Sequence, residues 1–328
     1  MNYKESQKIL EEIKKANKIL INCHRSPDPD SVGSALAMRK VLLDMGKTVE
    51  VVCPDNISVD SKFLESSDKV QRIDYDTFDF SGYDTFLLLD SSEWSQVAGL
   101  SNKIPEIKKI VIDHHYTNKG FGEINIVDSK RSSTAEVVYK IFKDWNIKIS
   151  TEIAQDLLAG LIYDTSSLQH SSADITTAKT MAHLMELGAD KDKIIFNFYR
   201  NISFDKVKLI GEILKNLQID KENRFVWSAI PHETYILYPD SSGVTRMAAN
   251  FYASSIENTD FGMIMVEEKK DSLNVSMRAK VGSDISKIAE ELGGGGHKQA
   301  GGAMVKDVPF DEAVEKALAV ARKYARKN

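Results

Sequence analysis

In the first half of the chain, short apolar runs alternate regularly with segments whose apolar residues have helical spacing. The runs TFLLL and IVI, within 83–90 and 108–113, are apolar throughout, which is typical of strands buried on both faces. Segment 31–47 instead places apolar residues from Ala35 to Met45 at helical spacing. Strands that alternate with helices predict an α/β fold with a doubly wound parallel sheet.

The predicted elements define two domains of different size. Besides the elements above, strands are predicted at 18–24, 49–54, 225–230, 261–268 and 273–280. Helices are predicted at the N-terminus and at 150–164, 174–190, about 243–256, 283–292 and 310–326. We therefore expect a first domain over 1–190, a charged helical linker over 191–220 and a smaller α/β domain over 221–328.

Composition restricts the partners and the compartment. A net charge of −5 argues against a broad surface for long double-stranded nucleic acid, which would be basic. No apolar run approaches the roughly 20 residues of a membrane span, and the N-terminus lacks the pattern of a signal peptide. The two cysteines, Cys23 and Cys53, cannot form a disulfide framework. The sequence therefore predicts a cytoplasmic protein without a membrane partner.

Acidic and imidazole side chains recur where the predicted strands end. His24 ends the first strand, and Asp28 and Asp30 follow in the loop before the next helix. Asp90 ends another strand, as does the run Asp-His-His at 113–115. In doubly wound sheets, ligand sites form outside the carboxyl ends of the strands. Three strand ends are thus expected to direct these groups into one crevice.

A cluster of this composition predicts bound cations. Its carboxylates would repel one another without them, and mixed His and Asp ligands suit a borderline cation such as Mn²⁺ better than Ca²⁺. Two metal ions about 3.5–4 Å apart form the usual clamp for displacement at phosphorus. Pro27 and Pro29 stiffen the loop that carries Asp28 and Asp30. The residues themselves therefore predict a two-metal phosphoesterase.

These residues also match the motifs of a known family. The matching segments are H-x-x-P-D-x-D-x-x-G-S at 24–34, the strand-end Asp90, D-H-H at 113–115 and Asp164 in LIYDTSS. Together they resemble the DHH phosphoesterases. SMRAK at 276–280 and GGGGHKQAGGA at 293–303 resemble the DHH-associated C-terminal domain. The resemblance spans about residues 18–305.

The resemblance implies two metal sites that share one carboxylate. One Mn²⁺ would be held by His24, Asp28 and Asp90, and a second by Asp30, Asp90, His114 and Asp164, with Asp90 as the bridge. Mg²⁺ or Co²⁺ are alternatives to Mn²⁺. Asp113 would orient the imidazoles, and His115 would lie near the phosphate and assist the leaving oxygen. A hydroxide between the two cations would attack phosphorus.

The resemblance places substrate binding in the second domain. Arg278 would form charge-assisted bonds to the substrate phosphate, assisted by His297 and by the backbone amides of Gly294, Gly295 and Gly296. Two departures from the family pattern bear on which substrate the protein prefers. SMRAK lacks one hydroxyl of the family's S-x-R-S-K, and a polar stretch, SSLQHSSAD, follows Asp164 where an aromatic-containing one is common.

The resemblance favours the branch of the family that cleaves short oligonucleotides and dephosphorylates 3′-phosphoadenosine 5′-phosphate. The acidic charge agrees, because long polymers usually need an extended basic track. The main alternative is a phosphodiesterase of cyclic dinucleotides or of linear dinucleotides. A pyrophosphatase, a polyphosphatase and an inactive nucleotide-binding protein are weaker alternatives, and a homodimer is also left open.

One aromatic residue near the predicted site has two interpretations. Trp94 follows Asp90 by four residues, so it could stack on a nucleobase. Packing in the core is the commoner fate of a tryptophan. The sequence alone does not decide between them.

Overall fold

A computed structural model describes residues 2–296 and 298–325. The chain forms two compact units, and the boundary between them falls after Asn201, within the segment predicted as a linker. Across the described residues, no helix combines the length and the apolar composition that a membrane crossing requires. His297, predicted to assist phosphate binding, lies outside the described residues.

The first unit is built on a six-stranded parallel sheet. Its strands are β1 (Lys18–Asn22), β2 (Thr48–Cys53), β3 (Val70–Arg72), β4 (Thr85–Leu89), β5 (Lys108–Asp113) and β6 (Ile124–Val127). Their order in the sheet is β3-β2-β1-β4-β5-β6. The order reverses between β1 and β4, which is the switch point where ligands bind in doubly wound sheets. The predicted α/β class is confirmed.

Helices cover the sheet and connect its strands. They are α1 (Glu5–Lys15), α2 (Pro29–Asp44), α3 (Trp94–Ala98), α4 (Thr134–Asp144), α5 (Thr151–Asp164), α6 (Ile175–Glu186) and α7 (Lys191–Ile195). A π-helical turn at Phe196–Arg200 follows. Helix α4 was not predicted, although Ser133 and Glu136 form a capping signature at its start. The Ser133 hydroxyl accepts a hydrogen bond from the backbone amide of Glu136 at 3.1 Å.

Strand alternation divides the buried side chains of the sheet between two cores. Ile19, Ile21, Leu87 and Ile110 join the core that contains α2, α4 and α5. Their neighbours Leu20, Phe86, Leu88 and Val111 face the opposite side, where Tyr75 and Phe80 pack on them. Both faces of the central strands are therefore buried, which explains why their sequences are apolar throughout.

Two glycines let α2 and α5 approach each other closely. A side chain at Gly33 would overlap the backbone carbonyl of Asp156. A Cβ at Gly160 would lie 2.5 Å from Asp30 Oδ1 and 2.8 Å from Ala135 Cβ. This contact therefore sets the distance between the helix that carries Asp30 and the helix that ends in Asp164.

We expect Gly33→Ala to destabilise the protein by about 3 kcal/mol, because the added methyl group meets backbone that cannot rotate away. Urea unfolding measures this change. Gly211→Ala is the matched control, since a Cβ there meets nothing within 4 Å. Alanine in an open helical position stabilises by up to about 1 kcal/mol. Equal stability of the two variants would contradict the close contact.

The second unit is a smaller α/β structure. Its elements are α8 (Phe204–Lys215), β7 (Gln218–Asp220), β8 (Phe225–Ile230), α9 (His232–Tyr235), α10 (Val244–Ala248), β9 (Phe261–Lys269), β10 (Ser272–Ala279), α11 (Ser286–Glu291), β11 (Gly295–Gly296), β12 (Ala300–Lys306) and α12 (Phe310–Tyr324). The sheet order is β11-β12-β10-β9-β8-β7, with β8 and β9 parallel and the other pairs antiparallel. The helix predicted over about 243–256 is α10 followed by a π-helical turn, Ala249–Ala253.

Candidate metal centre

The loop after β1 is organised by the cap of α2. Asp28 is the N-cap residue, and its Oδ1 accepts the backbone amides of Asp30 and Ser31, both at 3.1 Å. Pro29 occupies the first helical position, which suits its fixed φ and its lack of an amide proton. The Ser31 hydroxyl accepts the backbone amide of His24 at 3.0 Å. These hydrogen bonds fix the loop between β1 and α2 against the first turn of α2.

Asp30 lies in the first turn of α2 and is completely buried. Its Oδ2 accepts the amide of Thr134 at 2.7 Å, and its Oδ1 accepts that of Ala135 at 2.9 Å. Both amides belong to the first turn of α4, where the helix dipole stabilises negative charge. Helix α4 thus holds the Asp30 carboxylate in one orientation.

Asp90 connects two imidazoles through its two carboxylate oxygens. Its Oδ2 is 3.3 Å from Nε2 of His24, and its Oδ1 is 3.7 Å from Nε2 of His114. The Thr134 hydroxyl donates to Oδ1 at 2.9 Å. The backbone of Asp90 has a φ of 54°, a left-handed conformation that Asp and Asn adopt more readily than most residues. This geometry directs one carboxylate towards two separate groups of ligands.

Asp164, the last residue of α5, completes the cluster from the other side. Its Oδ2 is 3.2 Å from Nε2 of His114, and its carbonyl oxygen is 2.7 Å from Nδ1 of His170. Three consecutive residues after it, Ser166–Leu168, have positive φ. Such a turn is costly for residues other than glycine and is typical of functional loops.

Among the described residues, three groups of side chains have ligand atoms within 4.8 Å of one another. They are His24 with Asp28 and Asp90, Asp30 with His114 and Asp164, and Asp90 with His114 and His115. All six residues predicted as metal ligands from the sequence therefore lie together, and Asp90 is shared between two groups. The closeness of His115 to Asp90 was not expected from the sequence.

Asp113 orients its neighbours as part of a small network. Its Oδ1 is 2.7 Å from Nδ1 of His115 and accepts the backbone amide of His114 at 2.8 Å. Its Oδ2 accepts the side-chain amide of Asn118 at 2.7 Å, and the same amide donates to the Ser91 carbonyl at 3.0 Å. Asn118 was not predicted as part of the site, although it follows the D-H-H run by only three residues.

The electrostatics of the cluster fit bound cations. Burial, together with the nearby carboxylates, raises the pKa of Asp30 and of Asp164 well above the usual range. Burial lowers the pKa of His24, but Asp28 and Asp90 outweigh it and raise that pKa well above its usual value. Burial and His115 lower the pKa of His114, which favours the neutral imidazole that binds metals. Two divalent cations would relieve the carboxylate repulsion.

The second unit contains the predicted phosphate-binding residue. Arg278 lies on β10, and its Nε donates to Oδ1 of Asn250 at 2.7 Å, while Nη1 donates to the Met277 carbonyl at 2.7 Å. Asn250 belongs to the π-helical turn after α10. Asn250 was not predicted, because nothing in its local pattern connects it with a strand that begins 22 residues later.

The glycine run has a structural role in the described residues. A Cβ at Gly294 would overlap the Gly302 carbonyl, and one at Gly296, whose φ is 143°, would overlap the Ala300 carbonyl. Gly295 is exposed, and a Cβ at this position would meet nothing within 4 Å. Gly294 and Gly296 thus permit the pairing of β11 with β12, and Gly295 leaves its backbone accessible.

Family models match both units. Residues 18–161 match the N-terminal domain of the DHH family, and residues 236–327 match the DHHA1 domain. The first match contains five of the six predicted metal ligands, and it ends before Asp164. The second contains Arg278 and the glycine run.

Relatives extend over nearly the whole chain. The chain is 27% identical to a bifunctional oligoribonuclease and PAP phosphatase NrnA of Thermus thermophilus, over 98% of this chain and 94% of that protein. It is 25% identical to the protein of the same name from Bacillus subtilis, over 90% and 91% of the two chains.

A solved structure has the same architecture. An exopolyphosphatase-related protein of Bacteroides fragilis superimposes with a TM-score of 0.86 at 25% identity, covering 98% of this chain and 96% of that one. With an N-terminal DHH domain and a C-terminal DHHA1 domain, the chain belongs to the DHH family of metal-dependent phosphoesterases.

Proposed function

We propose that the chain hydrolyses short oligoribonucleotides and 3′-phosphoadenosine 5′-phosphate with the help of two Mn²⁺ ions. The observation that carries this proposal is the position of Asp90, whose two oxygens face His24 and His114 separately. A carboxylate in this position suits two neighbouring cations, which is the arrangement used for displacement at phosphorus. The names of the two NrnA relatives support the choice of substrates.

The residues of the cluster divide into two ligand sets. One cation would be held by His24, Asp28 and Asp90, and the other by Asp30, Asp90, His114 and Asp164. When bound, the two cations supply the positive charge that activates water and neutralises the phosphate oxygens. Thr134 and the first turn of α4 hold Asp90 and Asp30 in place.

His115 would assist the departure of the leaving oxygen. Its Nδ1 is 2.7 Å from Asp113 Oδ1, and Asp113 is held in turn by Asn118. A carboxylate partner of this kind fixes the orientation of an imidazole and stabilises its protonated form. Asp113 therefore acts as a positioning residue for His115.

The second domain would bind the substrate. Arg278 offers a guanidinium for a terminal phosphate, and its side chain is already oriented by Asn250. The accessible backbone at Gly295 and the predicted contribution of His297 complete this proposal. Binding of a terminal phosphate would favour short substrates, because every short substrate has an end close to the scissile bond.

A hydrolysis panel tests the proposal. The purified protein with Mn²⁺, and in parallel with Mg²⁺ or Co²⁺, is given RNA of two to five nucleotides, 3′-phosphoadenosine 5′-phosphate, cyclic di-AMP and pyrophosphate. We expect turnover of the first two substrates, with the highest rates in Mn²⁺. Turnover of cyclic di-AMP alone would assign the cyclic dinucleotide alternative. The absence of turnover with every substrate would support a nucleotide-binding protein instead.

We expect Arg278→Ala to raise KM for a 5′-phosphorylated dinucleotide about 10- to 150-fold, the range of a charge-assisted hydrogen bond. The value of kcat should change little. Steady-state kinetics with the phosphorylated and the unphosphorylated dinucleotide measure the effect. Arg322→Ala, which removes an arginine bonded to Asp220 on the same unit, is the control. An unchanged KM in Arg278→Ala would exclude this arginine from the substrate site.

A further inference from the structure

A cavity of about 330 Å³ lies on the first unit, and its lining includes residues that closely follow Asp90 and His115 in the chain. Its walls include aromatic, aliphatic, hydroxyl and basic side chains: Trp94, Phe121, Ile104, Ser92, Thr117 and Lys119. The residues come from the segment that follows β4 and from the segment that follows β5. None of the roles proposed above uses this cavity.

The cavity is attached to the loops that carry the predicted ligands. Ser92 follows Asp90 by two residues, and Thr117 follows His115 by two residues. Two residues span at most about 7 Å. Asn118 joins the two loops, because its side-chain amide donates both to the Ser91 carbonyl and to Asp113. The part of the wall that Ser92 and Thr117 form therefore lies close to Asp90 and His115.

The walls offer an apolar surface for a flat ring. Trp94 contacts Tyr75 and Phe86 edge to face, with ring centroids 6.1 and 6.4 Å apart, and these contacts hold the indole in place. Its Nε1 is buried and has no hydrogen-bond partner among the described residues. Ile104 is 56% exposed. An apolar cavity of roughly 300 Å³ or more with a few polar groups is typical of a small-molecule site.

Two of the three charged residues that line the cavity are lysines, and the third is Glu93, whose carboxylate accepts a hydrogen bond from the Ser95 hydroxyl at 2.5 Å. Lys119 is exposed and lines the cavity, so it would attract a substrate that carries phosphate. Lys109 also lines it, with its Nζ 3.6 Å from Glu123. The cavity thus offers an apolar wall and two lysines. A nucleotide fits both features, since its base is apolar on its faces and its phosphate is anionic.

We infer that this cavity binds the nucleobase of the nucleotide that carries the scissile phosphate, with Trp94 as the stacking surface. The inference rests on the proposed function, since it assumes a nucleotide substrate. Aromatic side chains accept every base by stacking. The cavity would therefore add affinity for nucleotides in general over phosphoesters that lack a base.

Trp94→Ala tests the stacking surface. We expect this variant to raise KM for a dinucleotide about 5- to 150-fold, the range measured for base–aromatic stacking. The abasic analogue of the same dinucleotide should show no change between the variant and the wild type. Trp94→Phe retains a ring for packing on Tyr75 and should raise KM less. Equal KM changes for both substrates would overturn the inference, because they would indicate a general disturbance of the site.

A second variant avoids the core contacts of Trp94. Ile104→Glu places a negative charge on the wall of the cavity at an exposed position, so the fold should be retained. Its KM for the dinucleotide should rise at least about tenfold. Leu100→Glu is the matched control, because Leu100 belongs to the same connection, is 95% exposed and does not line the cavity. Unchanged KM in both Trp94→Ala and Ile104→Glu would overturn the inference and leave the proposed function intact.

A binding measurement separates the two proposals if the wild type cleaves no nucleotide. Adenosine 5′-monophosphate is titrated into the protein while tryptophan fluorescence is recorded. Quenching that is lost in Trp94→Phe would support a base-binding cavity even though the proposed function has failed. No quenching in the wild type would overturn both proposals.

Discussion

Asp90→Asn is expected to reduce the rate of phosphoester hydrolysis about 10³-fold, the largest effect of any single substitution considered for this protein. The amide keeps the shape of the carboxylate but removes the charge that two cations would share. Loss of several kcal/mol of metal-supplied stabilisation corresponds to a factor of this size. Asparagine also tolerates the left-handed backbone of Asp90, so the fold should be preserved.

The measurement is kcat/KM with Mn²⁺ for a dinucleotide, together with the amount of metal that the protein retains. Asp271→Asn is the matched control, because Asp271 also has a positive φ, of 57°, and lies in the tight connection between β9 and β10. We expect that control to keep full activity and metal content. Full activity in Asp90→Asn would exclude the two-metal assignment.

Lys40→Met is expected to lower the free energy of unfolding by about 3–5 kcal/mol at pH 8, the range for breaking a buried ion pair. Lys40 Nζ contacts Asp156 Oδ2 at 2.8 Å, and the Asp156 side chain is almost completely buried. Its other oxygen, Oδ1, has no hydrogen-bond partner in the described part of the chain. Removal of the ammonium would leave an uncompensated buried carboxylate between α2 and α5.

The loss in free energy of unfolding caused by Lys40→Met should be larger at high pH than at low pH. Burial raises the pKa of Asp156 to about 7, against the attraction of Lys40, whereas an unfolded aspartate has a pKa of about 3.9. Between these values the folded state binds more protons than the unfolded state, so this group makes stability fall as pH rises from about 4 to about 7. The penalty of Lys40→Met should therefore be smaller at pH 5, where Asp156 takes up a proton, than at pH 8.

Urea unfolding at pH 5 and pH 8 measures both parts of this prediction. Lys179→Met, at an exposed position of α6, should change stability by less than about 0.5 kcal/mol at either pH. The double variant Lys40→Met/Asp156→Leu should recover most of the loss, because an apolar pair replaces a buried ion pair at little cost. A loss that is equal at the two pH values and is not recovered would contradict the role of Asp156.

The sheet of the first unit was predictable because each central strand is apolar throughout. That pattern follows directly from burial on both faces, as Leu20 and Ile21 show by joining different cores. The short strand β3 and the strand β6 were missed because three or four residues give little periodicity. Helix α4 was missed although its capping signature at Ser133 and Glu136 was present in the sequence.

Five of the predicted ligands could be identified because they stand at strand ends or at the start of the following loop, whereas Asp164, at the end of a helix, was identified only by the family motif. The supporting residues could not be identified in the same way. Thr134 contacts Asp90 across 44 residues, and Ala135 contacts Asp30 across 105 residues. No local pattern predicts such partners, since they depend on how α4 packs against α2.

The α/β class, the six acidic and imidazole residues that lie together and the family of the chain were all predictable from the order of the residues alone. Periodicity and motif spacing carry this information because both arise from neighbours along the chain. The oxygen of Asp90 that faces each imidazole, the orientation of Asp30 by α4 and the residues that line the cavity at Trp94 become visible only in the folded chain. Those features depend on contacts between residues that are distant in the chain, and packing alone specifies them.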